Sequence, residues 1–318
     1  MTGSSVVGAF DVGGTTTRAA LVWDGEVRGF LRASTPRSSE LVGFLVETLG
    51  ALLADAGLVT SQLGAVGLSV PGPLTRDRRG VAFTGNLRLR DAPLADDLEA
   101  ALHLPVEMDD DANCAAVAES SVGAGRTASV VLLVVAGTGV GGGLVIDNRI
   151  YRGAHAAAGE IGHVALQADG PRCSCGSFGC VEAFASGRAL AERGRGAMVR
   201  QEAPVLAQLA GNRLENVTAE LVADAAQRGD PGAAAAIIST GRALGLGVAA
   251  AVSLLDPEIV VLAGGVGLLP PVVETVRETV RHRCIAPLNQ MVRVEPAQLG
   301  DRAGVVGAAL LAGEAVRD

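Results

Sequence analysis

The chain reads as an α/β protein of two domains. Three observations predict this. At 318 residues and 49% hydrophobic content it can fill two ordinary cores. The pattern of strand, glycine turn and strand occurs twice, at 6–23 and 129–151. The stretch 185–255 is Ala-rich with helical periodicity. The expected division is 1–122 as a smaller N-terminal domain, joined by a C-terminal helix at about 303–318, and 123–302 as a larger domain.

The first apolar run begins at Val6 and ends in Asp11-Val-Gly-Gly-Thr15. A second, 17–23, follows, and Asp24-Gly25 turns it into 26–33, which predicts consecutive hairpin strands. Ser38 or Ser39 is placed to cap a helix over about 40–56, where Leu41, Phe44, Leu45, Leu49 and Leu52 recur at helical spacing. A buried strand at 65–70 closes on Pro71-Gly72-Pro73. Then come a helix at 93–102, a short strand at 106–108 and a helix at 112–121, ahead of a glycine loop where the domain break is expected. The second half opens with a strong strand at 129–136, then Gly137-Thr-Gly-Val-Gly-Gly-Gly143 and a strand pair turning at Asp147-Asn148. Its strand at 258–262 ends in Ala263-Gly264-Gly265, and a last helix starts near Gly304.

A net charge of −8, a pI near 5.1 and no run of basic residues argue against nucleic acid or an anionic membrane surface as partners. No basic leader precedes Val6, and no apolar stretch reaches about 18 residues without Gly, Pro or charge, so the cytoplasm is the expected compartment. All 26 basic residues are Arg. Without lysine there is neither a Walker-type loop nor a Schiff-base enzyme. Of five cysteines, three crowd into 173–180, which suits metal ligation better than a disulfide framework.

Residues 137–142 satisfy G-x-G-x-x-G, but they open a strand, whereas a dinucleotide site needs a helix there. The two turns, Gly13-Gly14-Thr15 and Gly137-Thr138-Gly139, can present bare backbone N–H groups to phosphate oxygens, or can simply tighten hairpins. Asp11 ends a buried strand and needs a partner for its charge, a role that hydrated Mg²⁺ beside phosphates would fill. His163, Cys173, Cys175 and Cys180 place four ligands within eighteen positions, the pattern of a closed tetrahedral zinc site of structural type. Glu160 and Glu182 are tethered to it by short chain, as carboxylates suited to sugar hydroxyls. Asp109-Asp110-Asp111 either caps the following helix or supplies a proton acceptor. His103 and His282 receive no role.

Together DVGGTTTR (11–18), DDDANCAAVAE (109–119), GTGVGGG (137–143), AGEIGH (158–163) and CSCGSFGCVEAFASG (173–187) resemble the bacterial ROK sugar kinases, especially their glucokinases. The resemblance implies an actin-like ATPase (ribonuclease H-like) fold with ATP, Mg²⁺ and a hexose between two domains, and often a homodimer. It implies Asp111 as the base that takes the proton of the sugar 6-hydroxyl, and Asn86, Glu160, His163 and Glu182 as sugar contacts. LLDPEIVVLAGGV (254–266), with Gly264 and Gly265, is similar to the adenosine-side strand and turn. Asp110 departs from the family, which has Asn there, as do His155, Ala156 and 87–89. An acid beside the base favours a cationic sugar, so an amino-hexose such as kanosamine (3-amino-3-deoxyglucose) stands behind glucose as the expected substrate. A sugar-sensing regulator is the alternative of another class.

Overall fold

The computed structural model describes residues 6–23, 26–84 and 87–316, so the Asp24-Gly25 turn and Asn86 lie outside the described residues. In chain order the strands and helices are β1 (Val6–Val12), β2 (Thr16–Trp23), β3 (Glu26–Ser34), α1 (Leu41–Asp55), β4 (Leu63–Val70), β5 (Val81–Thr84), β6 (Leu89–Ala92), α2 (Leu94–Leu102), β7 (Val106–Asp110) and α3 (Asp111–Val122). They continue with β8 (Val130–Ala136), β9 (Val140–Ile146), β10 (Arg149–Ile150), α4 (Val181–Ala185), α5 (Gly187–Val199), α6 (Pro204–Leu209), α7 (Ala219–Gln227) and α8 (Pro231–Leu255). The last are β11 (Ile259–Ala263), α9 (Gly264–Gly267), α10 (Pro270–Arg283), α11 (Leu288–Met291), β12 (Arg293–Pro296) and α12 (Ala303–Ala315).

The chain forms two compact units. One holds residues up to 126, 143–158 and those from 299 onward; the other holds 127–142 and 159–298. The segment 143–158, which the sequence reading places in the second domain, thus groups with the first unit.

The first unit is built on a sheet of order β3-β2-β1-β4-β7, with β1, β4 and β7 parallel. Strand periodicity assigns its two faces. Val6, Phe10, Val12, Val66, Leu68 and Val70 pack with Leu41, Leu45, Leu49 and Leu52 of α1. The alternate residues Val7, Ala9 and Ala65 pack with Cys114 and Ala118 of α3 and Val305, Ala308 and Ala312 of α12. Small side chains there let α12 approach the sheet closely. Phe10 is fully buried, so its truncation to Ala costs about 3–5 kcal/mol. The expected serine cap on α1 is absent: Ser38–Glu40 form a 3₁₀ turn that runs into the helix, and Glu40 stands at the N-cap without a side-chain bond.

In the second unit β8, β11 and β12 run parallel, side by side in the order β8-β11-β12. Asp147 and Asn148, both at positive φ, close the β9–β10 hairpin as the sequence predicts. One continuous core takes in β8, β11 and the helices α4, α5, α7, α8 and α10. α8 is long and apolar enough to cross a membrane by composition, with mean hydropathy 1.6, but 61% of that window is buried in this core. It is the unit's central helix.

Candidate active site and metal centre

In the first unit, three parallel strands bring polar groups to one sheet end. The register pairs Asp11 of β1 with Ser69 of β4, and Ser69 with Asp109 of β7. Carboxyl ends of adjacent parallel strands are where α/β sheets bind ligands. Asp11 Oδ1 accepts from the Ser69 hydroxyl at 2.9 Å, and its Oδ2 accepts from Arg18 at 3.2 Å. Burial pushes the Asp11 carboxyl above the usual range, against those two donors. Arg18 is thus a partner for the Asp11 charge within the chain, but one that does not offset its burial. Gly13, Gly14 and Thr15 form the β1–β2 turn, where the Gly13 N–H donates to the Thr16 carbonyl at 3.0 Å and Thr35 donates to the Gly13 carbonyl at 2.6 Å.

The three consecutive aspartates have different surroundings. Asp109 is buried; its Oδ2 meets the Arg152 guanidinium at 2.6 and 2.7 Å, and its Oδ1 accepts from Asn113 and from the Asp110 N–H, each at 2.9 Å. Asp110 is the N-cap of α3, accepting the Asn113 N–H at 2.9 Å and the Asn113 side-chain amide at 2.5 Å. Asp111 is exposed at the first helical position, where the helix N-terminus favours negative charge. Of the two roles weighed for this acid run, capping falls to Asp110.

In the second unit, β8 and β11 are parallel neighbours with Val134 opposite Leu262 and Val135 opposite Ala263. The turns that follow, Gly137-Thr138-Gly139 and Gly264-Gly265, therefore leave the sheet side by side. Gly137, Thr138 and Gly265 line one cavity of about 950 Å³ together with residues of α5 and α7, among them Arg188, Arg195 and Glu220. Those helix residues escaped the sequence reading, because nothing in their spacing marks a ligand.

His163, Cys173, Cys175 and Cys180 present ligand atoms that all lie within 4.8 Å of one another. Cys175 Sγ is 3.8 Å from Cys180 Sγ, and Cys173 Sγ is 3.8 Å from His163 Nδ1. A tetrahedral Zn²⁺ at about 2.3 Å from sulfur and about 2.0 Å from nitrogen sets neighbouring ligands roughly 3.6–3.8 Å apart, so the donor set fits. Gly176 and Gly179, at φ +95° and +68°, make the sharp turns the loop needs. Burial and the thiols of Cys175 and Cys173 push Cys180 up to about 12, a charge penalty that a bound cation relieves.

The cluster of His163 and the three cysteines lies beside two of the acids expected to contact sugar. His163 Nε2 faces Glu160 Oε2 at 3.8 Å. Glu182 Oε1 accepts from Ser174 at 2.6 Å, and its Oε2 accepts from the Val140 N–H at 3.1 Å. Burial opposes the Glu182 charge, yet those hydrogen bonds, with His163 and Arg188, hold its carboxyl below the usual range. Of the predicted site residues, then, Asp11, Gly13, Gly14, Thr15, Asp110 and Asp111 belong to the first unit. The remainder belong to the second, Asn86 apart.

Residues 7–315 match the ROK family. A glucokinase of Streptomyces coelicolor is 33% identical over 96% of this chain and 96% of its own length. An N-acetyl-D-glucosamine kinase of Pectobacterium atrosepticum is 32% identical over 95% and 97%. A xylose repressor of Caldicellulosiruptor bescii is 30% identical over 76% of this chain and 60% of its own length. Among solved structures, a ROK family glucokinase from Streptomyces griseus in complex with glucose and AMPPNP superposes with a TM-score of 0.82 at 34% identity, covering 97% of this chain and 99% of that one.

Proposed function

The chain belongs to the ROK family, with the actin-like ATPase fold and ATP-dependent sugar kinase activity of its glucokinase relatives, and we propose that it transfers the γ-phosphate of ATP to the 6-hydroxyl of a gluco-configured hexose, glucose first. The observation that carries the assignment is the division of labour at 109–111. Asp109 is buried against Arg152 and Asp110 half-buried at the α3 cap, and of the three Asp111 is the one open to solvent, at the helix start. It takes the hydroxyl proton as the oxygen attacks phosphorus, and positioning and cation charge supply most of the remaining rate.

In the second unit the cavity lined by Gly137, Thr138 and Gly265 suits the adenosine end of ATP; in the first, the turn of Gly13, Gly14 and Thr15 after Asp11 has the residue types that would hold phosphate oxygens and their Mg²⁺. Zinc, held by His163 and the three cysteines, supplies no reacting group. With four protein ligands it orients Glu160, His163 and Glu182 toward the sugar. Glu182 can serve both sugar and protein, because each carboxylate oxygen has two acceptor sites.

A second reading, phosphorylation of a 3-amino-hexose, draws on Asp110. Its two oxygens already accept from Asn113, which gives the acid a structural reason to be there and favours glucose. The test compares kcat/KM for glucose, mannose, N-acetylglucosamine and kanosamine in wild type and Asp110→Asn. A kanosamine preference that Asp110→Asn abolishes would reverse the order of the two readings. Asp111→Ala should lower kcat about 10²–10⁴-fold while AMPPNP still binds. Unchanged turnover in that variant would remove Asp111 as base, and wild type that binds hexose without consuming ATP would point to the regulator class.

A further inference from the structure

We infer that Ser174, between the first two metal-binding cysteines, is a positioning residue that ties the metal loop through Glu182 to the glycine turn of the donor cavity, so that the metal steadies nucleotide binding as well as the sugar-side groups. The inference rests on the reading of the 137–139 turn as the nucleotide site.

Glu182 is 9% exposed and is the second residue of α4, two positions after Cys180. Its two oxygens face different chain segments. Oε1 receives the Ser174 hydroxyl at 2.6 Å, and Oε2 receives the Val140 N–H at 3.1 Å, the first amide of β9 after the glycine turn. The contact with the turn is close: a Cβ built on Gly139 would lie 2.5 Å from Glu182 Oε2, so a side chain there would displace the carboxylate. The other side of the turn is pinned by the Gly187 N–H donating to the Gly137 carbonyl at 2.7 Å. Glu182 thus backs the same turn whose Gly137 and Thr138 line the cavity.

The position of Ser174 is set by the loop that carries it. Cys173 donates its N–H to the Ser177 carbonyl at 2.8 Å, and Gly176 donates to the Cys173 carbonyl at 3.1 Å. Cys173 Sγ also lies 3.6 Å from Glu182 Oε1, but a metal-bound thiolate has no proton to donate. In the zinc-loaded protein Ser174 is therefore the loop's hydroxyl donor to Glu182. Removing the metal frees the loop, the loop moves Ser174, and the buttress behind the turn loosens.

The test compares wild type, Ser174→Ala and Ser174→Thr by calorimetric titration with AMPPNP and Mg²⁺, with zinc measured per chain. Ser174→Ala should retain its zinc and bind AMPPNP about three- to tenfold more weakly. Ser174→Thr, which keeps the hydroxyl, should recover most of the loss. Chelated wild type should weaken to a similar extent, with no further loss on adding Ser174→Ala. Unchanged affinity in zinc-replete Ser174→Ala overturns the link, and so does release of zinc by that variant, since Ser174 would then serve the metal itself. Wild type that binds no AMPPNP overturns the nucleotide reading of the turn, whereas tight binding by wild type and variant alike overturns the link alone.

Discussion

Asp109 and Asp11 are both removed from water, but they carry their charge in different ways. Asp109, 2% exposed, depends on the Arg152 guanidinium 2.6 Å away. Arg152→Met keeps the aliphatic stem and deletes the cation, leaving a buried carboxylate with only amide donors. We expect a loss on the order of 3 kcal/mol in urea unfolding at pH 7. A loss under about 0.5 kcal/mol would mean that Asn113 and the Asp110 N–H suffice. For Asp11, burial outweighs the Ser69 hydroxyl and Arg18, so its carboxyl lies above the usual range. The folded state then holds this proton more tightly than the unfolded chain. Its contribution to stability is full below about pH 4 and is lost as pH rises through the folded pKa. Asp11→Asn does not titrate, so its Tm relative to wild type should improve between pH 4 and pH 7. A difference that stays constant, or moves the other way, contradicts the assignment.

Elements differ in how much of them local sequence can reveal. The β1–β2 hairpin was legible because its glycine turn fixes a register that places Asp11 opposite Arg18. The clustering of His163 with Cys173, Cys175 and Cys180 was legible because the four fall within eighteen residues. The Arg152–Asp109 pair was not, since 43 residues separate the partners and neither is unusual in its own segment. The short β5–β6 hairpin and β12 were missed for a related reason: four residues such as Arg293–Pro296 show no alternation, and neighbouring strands decide their pairing. Helix glycines show the same limit and allow a paired prediction. Gly50 is exposed on α1 with open space around its Cβ position, whereas a Cβ on Gly245 of α8 would lie 2.6 Å from Thr279 Cβ of α10. Helix propensity alone favours Ala at both sites by up to about 1 kcal/mol. Contact against a helix-borne Cβ outweighs that, so Gly50→Ala should stabilise while Gly245→Ala should cost about 1–3 kcal/mol. Thermal melts in which both substitutions stabilise would show that α8 and α10 separate at little cost.

At the scale of the molecule, each hydrophobic core cluster lies within one compact unit: one holds β8, β11 and the α4–α10 helices, and the other two hold the first sheet. Two separate cores make unfolding in more than one step the physical expectation. The metal ligands all belong to the second unit, whereas Trp23, the chain's single tryptophan, stands on β2 in the first, with Arg28 stacked 5.0 Å from its ring centroid. Tryptophan emission therefore reports one unit, and a zinc ion held by these four residues would stabilise the other. Zinc bound only by folded protein raises the unfolding free energy of the unit that holds it, so chelation should lower one calorimetric transition by about 2–4 °C for each kcal/mol removed. The emission-monitored midpoint of Trp23 should stay within about 1 °C of the zinc-loaded value, since no ligand touches its core. If both midpoints fall together, the two cores unfold as one cooperative body and the metal supports the whole chain. If only the emission midpoint falls, the metal is not held by His163 and the three cysteines.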